Sequence, residues 1–268
     1  MQLDRYDSLT AFTHHTEAWL SGRADLIIAN ARSVQADAVR RGMPADRITV
    51  VPNGIDTEVM RPDPTAGRAR RRMWGLSDDA FVIGCVARLD PMKDHSNLLR
   101  AVASFGRDAP NMRMVCVGTG AAHYRKQLEQ TAVSLGVADR VVWAGETRDV
   151  RAAYAAFDIA TLPSAFGEGF SNVIGEAMAC GTPVVATDIG DARAIIGGNG
   201  EVVAPSDPAA LCAGWARLRQ RLDPALRAAA RDSIIATYGL EVMTDRTEMI
   251  LSGLISTAPA KMRARELL

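Results

Sequence analysis

The chain has 268 residues, of which 48% are hydrophobic and 23% charged, a composition ordinary for a soluble globular protein. Its 31 Lys and Arg residues balance its 31 Asp and Glu residues, so no net charge favours nucleic acid or an anionic membrane as a partner. The four cysteines form no CxxC pair and the four histidines show no zinc-binding spacing. We therefore expect a cytoplasmic protein with buried free thiols and no bound metal.

The first sixty residues hold about one strand–helix–strand unit. The stretch ADLIIAN (24–30) predicts a strand, SVQADAVRRG (33–42) a helix, and ITVVPNGID (48–56) a strand that ends in an Asn-Gly turn. One such unit is too small for an independent sheet domain, so residues 1–57 are expected to be the remnant of a larger N-terminal domain. Residues 58–75, rich in proline and charge, are predicted to be a linker with a solvated face.

Residues 76–255 alternate short β-rich runs with longer helical patterns, and 256–268 form a tail. Near-continuous apolar runs are typical of parallel strands covered on both faces, and the alternation predicts a doubly wound parallel α/β sheet. The predicted strands are 81–87, 112–118, 140–145, 157–162, 182–188 and 200–205. The predicted helices lie near 95–108, 121–136, 148–156, 172–180 and 190–197, with two or three more over 207–255.

The loop after the 157–162 strand is the best candidate for a ligand site, since ligands bind beyond the carboxyl ends of such strands. Its sequence is PSAFGEGFSN, in which two glycines let the backbone approach a ligand closely. Ser171 or Asn172 would cap the following helix, whose free N–H groups favour an anion. Arg88 and Lys93 follow a neighbouring strand and add two positive charges. Together these features predict a phosphate or diphosphate site.

Two carboxylates flank this predicted anion site. Glu168 lies in the loop and Glu176 lies about one turn inside the helix. A carboxylate accepts two hydrogen bonds at once and therefore suits a vicinal diol such as a ribose. A diphosphate with hydroxyl-bearing groups on both sides is a nucleotide sugar. Each residue also has a structural interpretation: solvated charges for Arg88, Lys93 and Glu168, and a dipole-stabilised helix carboxylate for Glu176.

Several motifs resemble the retaining glycosyltransferases of family 4, which have the GT-B architecture of two Rossmann-like domains. The stretch EGFSNVIGEAMACGTPVVATD (168–188) resembles their E-x7-E signature. The stretch ITVVPNGIDTEVMRP resembles their inter-domain linker, and ARLDPMKDHSNLLRA resembles their Arg–Lys phosphate motif. The stretches VCVGTG, VVWAGETRDV and FDIATLPS follow in the family's order. The fold implied for 76–255 is the Rossmann-like C-terminal domain of a GT-B enzyme.

The resemblance implies a role for each candidate residue. Arg88 and Lys93 would bind the diphosphate and stabilise it as the leaving group. Glu168 would contact the hydroxyls of the donor sugar, and Glu176 would hold the ribose. The remaining candidates would supply backbone contacts or frame the nucleobase: Gly169, Phe170, Ser171 and Asn172 for the first role, and Gly118, Gly120 and Trp143 for the second. The family normally needs no divalent metal and no cofactor, the UDP- or GDP-linked sugar being a substrate.

The implied partners are a nucleotide-sugar donor and a glycan or lipid-linked acceptor, in surface or exopolysaccharide synthesis, with no nucleic acid. The acceptor domain, which could contact the inner face of the membrane, is present only as its last unit. We therefore expect the donor-binding half of an enzyme, binding donor but transferring sugar poorly or not at all alone.

Other functions remain open on the sequence alone. The main alternative is a non-catalytic nucleotide-sugar-binding module. An NAD-dependent oxidoreductase rests only on GTGAAH (118–123), which lacks the third glycine of its fingerprint. GFSNV lacks the second glycine of a hydrolase nucleophile elbow, and a sugar-nucleotide epimerase shares the architecture.

Overall fold

The computed structural model describes residues 16–257 except residue 18, and the tail predicted at 256–268 lies almost wholly outside them. The first described unit is a small parallel pair of strands, β1 (Ile27–Ala29) and β2 (Ile48–Val50), joined by helix α1 (Arg32–Arg40). This is the predicted strand–helix–strand unit with shorter strands. The chain leaves β2 as a turn in which Ile55 makes an isolated parallel bridge to Gly239, near the other end of the chain.

The second unit is a six-stranded parallel sheet covered by helices on both faces. Its strands are β3 (Phe81–Val86), β4 (Met112–Val117), β5 (Val141–Gly145), β6 (Ile159–Leu162), β7 (Val184–Thr187) and β8 (Glu201–Val203). The helices are α2 (Pro64–Met73), α3 (His95–Asp108), α4 (Ala122–Ser134), α5 (Val150–Ala155), α6 (Asn172–Ala179), α7 (Ala192–Ile196), α8 (Pro208–Gln220), α9 (Pro224–Tyr238) and α10 (Leu240–Thr257). The doubly wound parallel sheet predicted from the sequence is confirmed.

Two apolar clusters, one on each face of the sheet, form the core. Successive residues of a strand point to opposite faces, and Val82 and Ile83 accordingly belong to different clusters. Trp215 of α8, fully buried, packs edge-on against Phe105 of α3 at a ring distance of 5.7 Å. Because both faces are covered, the strands need apolar residues at nearly every position, which explains their unbroken apolar runs.

The strand order β5-β4-β3-β6-β7-β8 places the candidate site. The chain moves outward from β3 to β5 and then returns to the other side of β3 as β6. The crevice beyond the carboxyl ends of β3 and β6 is therefore the topological switch point, where open α/β sheets bind ligands. The loops that leave these two strands touch there, since the Ala165 N–H donates to the Met92 carbonyl at 2.8 Å.

Residues 64–73 of the predicted linker form helix α2, on which Arg68 and Arg72 are exposed and Arg71 is partly buried. Asp63 caps the helix by accepting from the Ala66 N–H at 2.9 Å, and Pro64 takes the first helical position, where its missing N–H costs nothing. Arg71 pairs with Asp158 at 2.9 Å and also donates to two backbone carbonyls. Part of the basic run thus holds the helix to the sheet.

Candidate functional site

Lys93 and Glu168, which the sequence predicts at one site, meet at the switch point. The Lys93 Nζ lies 2.5 Å from the Glu168 Oε1, and their side chains are only 13% and 10% exposed. Lys93 ends a short 3-10 turn after β3, a turn that Asp90 caps by accepting from the Met92 N–H. Because the pair is partly shielded from water, its charges interact more strongly with a ligand in the crevice than exposed charges would.

Glycines let the loop around Glu168 follow its path. Gly167 has a φ of +79°, and a Cβ atom there would lie 2.5 Å from the Met92 Sδ. Gly190, after β7, has a φ of +62°, and a Cβ there would lie 2.4 Å from the Gly169 carbonyl oxygen and 2.6 Å from that of Glu168. No side chain fits at Gly190 without moving the backbone that carries Glu168.

Glu176 is a half-buried residue of α6, and its side chain has one buried partner. The Tyr154 hydroxyl donates to the Glu176 Oε2 at 2.9 Å, and Tyr154 is fully buried. Burial, and secondarily the negative charge of Glu176, hold the pKa of Tyr154 well above its ordinary value. Tyr154 therefore stays protonated and acts as a permanent hydrogen-bond donor to this carboxylate.

The four residues predicted for backbone contacts lie at the start of α6. Ser171 is the N-cap residue, but its side chain does not cap the helix. Asn172 is exposed and its Oδ1 accepts from the Asn53 Nδ2 at 2.9 Å. The Phe170 ring is buried against Tyr238 at 5.2 Å, and Gly169 faces Val34 of α1. The helix N-terminus thus opens at the carboxyl edge of the sheet, beside Glu168.

The other predicted residues spread along the same edge. Arg88 follows β3, is exposed, and makes no ion pair with any residue that the structure describes. Gly118 has a φ of +137°, and a Cβ there would lie 2.1 Å from the Ala87 carbonyl oxygen; Gly120 bridges to Leu89. The Trp143 ring packs against the core, 5.8 Å from the Arg125 guanidinium carbon. Trp143 lies on β5, which β4 separates from the crevice between β3 and β6.

Sequence reasoning missed three residues at this site. Ser164, fully buried, donates to the Glu168 Oε1 at 2.6 Å, and Tyr154 supports Glu176. Asp191 accepts from the Arg32 and Ser33 N–H groups at 2.7 and 2.9 Å, and so caps α1 from the other unit. The only sequence signal for Ser164 is a polar residue at the end of an apolar strand. Nothing local to Tyr154 or Asp191 indicates partners so distant in sequence.

A cavity of about 780 Å³ lies at the opposite edge of the sheet and is not this site. Phe157, Asp158 and Thr182, which precede strands β6 and β7, contribute to its lining. Three of its arginines are committed to structure: Arg71 and Arg227 pair with Asp158, and Arg231 donates to three backbone carbonyls. Within residues 16–257 no cluster of His, Cys, Asp and Glu could hold a metal, and no helix has the length and apolarity to cross a bilayer.

Comparisons with known proteins bear on the same parts of the chain. A family model described as glycosyl transferases group 1 matches residues 80–221, and one described as glycosyltransferase family 4 matches 4–59. The D-inositol 3-phosphate glycosyltransferase of Acidothermus cellulolyticus is 35% identical over 92% of this chain and 56% of its own length. The D-inositol 3-phosphate glycosyltransferase of Thermomonospora curvata is 32% identical over 91% of this chain and 60% of its own length. The chain thus spans about half the length of the curated relatives it matches.

Solved structures show the same architecture. HepE from Anabaena in complex with UDP has a TM-score of 0.86 and 26% identity, with 94% of this chain and 70% of that chain covered. HepE in complex with UDP-glucose has a TM-score of 0.83 and 26% identity, covering 91% and 68%. The fold, the strand-end motifs and the family models agree, and the chain belongs to the group 1 glycosyl transferases of the family 4 type, with the GT-B architecture.

Proposed function

We propose that this chain is the donor-binding half of a retaining glycosyltransferase that takes a sugar from a nucleoside diphosphate, with UDP as the nucleotide to test first. The observation that carries the proposal is the Lys93–Glu168 ion pair at the switch point, with Glu176 on the adjoining helix. The HepE complexes with UDP and UDP-glucose support the choice of nucleotide.

The charges around the crevice suit a diphosphate between two hydroxyl-bearing groups. Lys93 and the exposed Arg88 supply positive charge beyond β3, and the N-terminus of α6 adds unpaired backbone dipoles. Fixed groups of this kind stabilise negative charge that grows on a leaving group by several kcal/mol in a shielded site. We assign Arg88 and Lys93 this role in place of a divalent metal.

Each glutamate oxygen without a protein partner is the proposed contact for a ligand hydroxyl. Among the described residues, none donates a hydrogen bond to the Glu168 Oε2 or to the Glu176 Oε1. We assign Glu168 to the donor sugar and Glu176 to the ribose. We assign backbone contacts with the sugar and phosphates to Gly169, Phe170, Ser171 and Asn172, and the nucleobase to Gly118, Gly120 and Trp143.

The proposed reaction retains the configuration of the sugar. The bond from the anomeric carbon to the diphosphate oxygen breaks, and an acceptor oxygen forms a bond on the same face. The departing phosphate oxygen takes the acceptor's proton. The acceptor itself would be a glycan, a lipid-linked sugar or, by the names of the relatives, a phosphorylated inositol. Residues 16–57 supply only one small strand–helix–strand unit of an acceptor side.

The test is a calorimetric titration of the chain with UDP, GDP, ADP and NAD. A nucleoside diphosphate should bind, and Glu176→Ala and Arg88→Ala should each weaken it by about 1–3 kcal/mol, as for a lost hydrogen bond to a charged group. Glu248→Ala and Arg100→Ala, on the exposed sides of α10 and α3, are matched controls and should leave binding unchanged.

Two results would end the proposal. One is a preference for NAD, which would favour the oxidoreductase; the other is indifference of nucleotide binding to both site substitutions. A non-catalytic binding module would pass this titration. To distinguish such a module from an enzyme, the acceptor domain of a relative is added and the release of UDP from UDP-glucose is assayed. An enzyme should release UDP, and a non-catalytic module should not.

A further inference from the structure

The two glutamates of the candidate site share an arrangement with a buried hydroxyl. The Glu168 Oε1 accepts from the Ser164 hydroxyl as well as from the Lys93 ammonium, and the Glu176 Oε2 accepts from the Tyr154 hydroxyl. In each case the residue that carries the hydroxyl is fully buried, and no described residue donates a hydrogen bond to the second carboxylate oxygen. One oxygen of each carboxylate is thus held by the buried hydroxyl, while the other is available to a ligand hydroxyl.

Both hydroxyl residues are themselves anchored to the sheet. The Ser164 carbonyl accepts from the Thr187 hydroxyl of β7 at 2.6 Å. The Tyr154 carbonyl accepts from the Thr182 hydroxyl at 2.9 Å, and the Tyr154 ring packs edge-on against Phe157. A glutamate side chain is costly to order, so a partner that is already fixed removes part of that cost before a ligand arrives.

We propose that Ser164 and Tyr154 are separate positioning residues, Ser164 orienting Glu168 for the donor sugar and Tyr154 orienting Glu176 for the ribose. This inference rests on the proposed function, because it divides donor recognition between the two glutamates. Neither hydroxyl has to touch the donor. Each acts by limiting the rotamers of the glutamate side chain to which it donates a hydrogen bond.

Three ligands separate the two roles: UDP-glucose, UDP, and 2′,3′-dideoxyuridine diphosphate, which lacks the ribose hydroxyls. Ser164→Ala should weaken UDP-glucose by about five- to ten-fold, the effect of one lost hydrogen bond, and leave the other two ligands unchanged. Tyr154→Phe should weaken UDP-glucose and UDP by the same factor and leave the dideoxy ligand unchanged. Both substitutions remove only an oxygen atom. Ser164→Cys, with a weaker donor of similar size, should give an intermediate effect on UDP-glucose.

Thr161→Val is the matched control, since it removes a buried hydroxyl from β6, the strand just before Ser164. That hydroxyl bonds to Val185 and Trp215 and to no carboxylate. The substitution should lower thermal stability without changing any ratio of affinities. A double-mutant cycle adds a second measurement: in the Glu168→Ala background, Ser164→Ala should cost no further UDP-glucose affinity.

The inference is overturned if either hydroxyl variant weakens all three ligands alike, or if it changes only thermal stability. It is also overturned if Ser164→Ala and Glu168→Ala are additive. Failure of the proposed function looks different: the unaltered chain would bind none of the uridine ligands, or would bind them regardless of Glu168 and Glu176.

Discussion

His95 lies within the segment that resembles the Arg–Lys phosphate motif, two residues after Lys93, and is fully buried at the start of α3. Its Nε2 lies 4.0 Å from the Cys85 thiol, and its Nδ1 has no hydrogen-bond partner among the described residues. Burial, and then the positive charge of Lys93, lower the pKa of His95 to about 4, while Asp90 opposes the shift. This environment fits a structural role for His95 at the start of the helix.

A pH dependence of stability follows from His95. An unfolded histidine binds a proton below about pH 6.5, whereas the folded one does so only near pH 4. The unfolded state therefore binds more protons between these values, and the free energy of unfolding should fall as the pH is lowered through this window, by roughly 3 kcal/mol at most. Denaturant titrations at several pH values give the free energy of unfolding at each pH. Plotted against pH, this free energy should change less steeply for His95→Gln than for the unaltered chain. An unchanged slope would contradict the assignment.

At Gly190 a single methyl group should disturb the site. Gly190→Ala places a Cβ against the carbonyls of Glu168 and Gly169, so UDP-glucose binding should weaken by at least about ten-fold as Glu168 is displaced. Gly136 has a similar φ of +68° with open space around it. Gly136→Ala should therefore cost only about 1 kcal/mol of stability and leave binding intact. Equal effects of the two substitutions on binding would refute the argument.

At the scale of elements, α2 is the helix whose role differs most from the expectation. Arg71→Ala would strip Asp158 of its closest cation and leave the Ala156 and Ala80 carbonyls short of a donor. We expect a loss of about 1–3 kcal/mol in the free energy of unfolding, reduced from the value for a fully buried pair because both side chains retain about a fifth of their exposure. Arg72→Ala, next in sequence but exposed and without an ion pair in the described structure, should change stability by less than about 0.5 kcal/mol.

The contrast between α2 and the sheet shows what the sequence could predict. The apolar runs identified every strand of the large sheet because burial on both faces forces that pattern. Helix α2 was hidden by its charges, although Asp63 followed by Pro64 is a recognisable helix start. In the candidate site, Lys93 and Glu168 could be placed together because strand ends meet at one edge. Tyr154 could not be linked to Glu176, because that contact depends on how α5 packs against α6.

At the scale of the whole molecule, Asp191 joins the small N-terminal unit to the large sheet. It caps α1 across 159 residues of sequence, and Ala31, at the cap position, offers no side-chain substitute. Asp191→Ala should therefore speed amide hydrogen exchange in α1 by a factor of about five or more, as expected for a lost cap of about 1 kcal/mol. Strands β3 and β4 should keep their protection. Uniform loss of protection across the chain would show instead that Asp191 supports the entire fold.

The strand order has a consequence for the nascent chain. Strand β3 pairs with β4 on one side, but its other neighbour, β6, is synthesised only after α3, β4, α4, β5 and α5. During that interval a strand destined for the centre of the sheet presents a bare edge of N–H and C=O groups, flanked by apolar side chains. Such an edge is open to pairing with a neighbouring chain. This particular exposure of β3 lasts until β6 is synthesised and pairs with it.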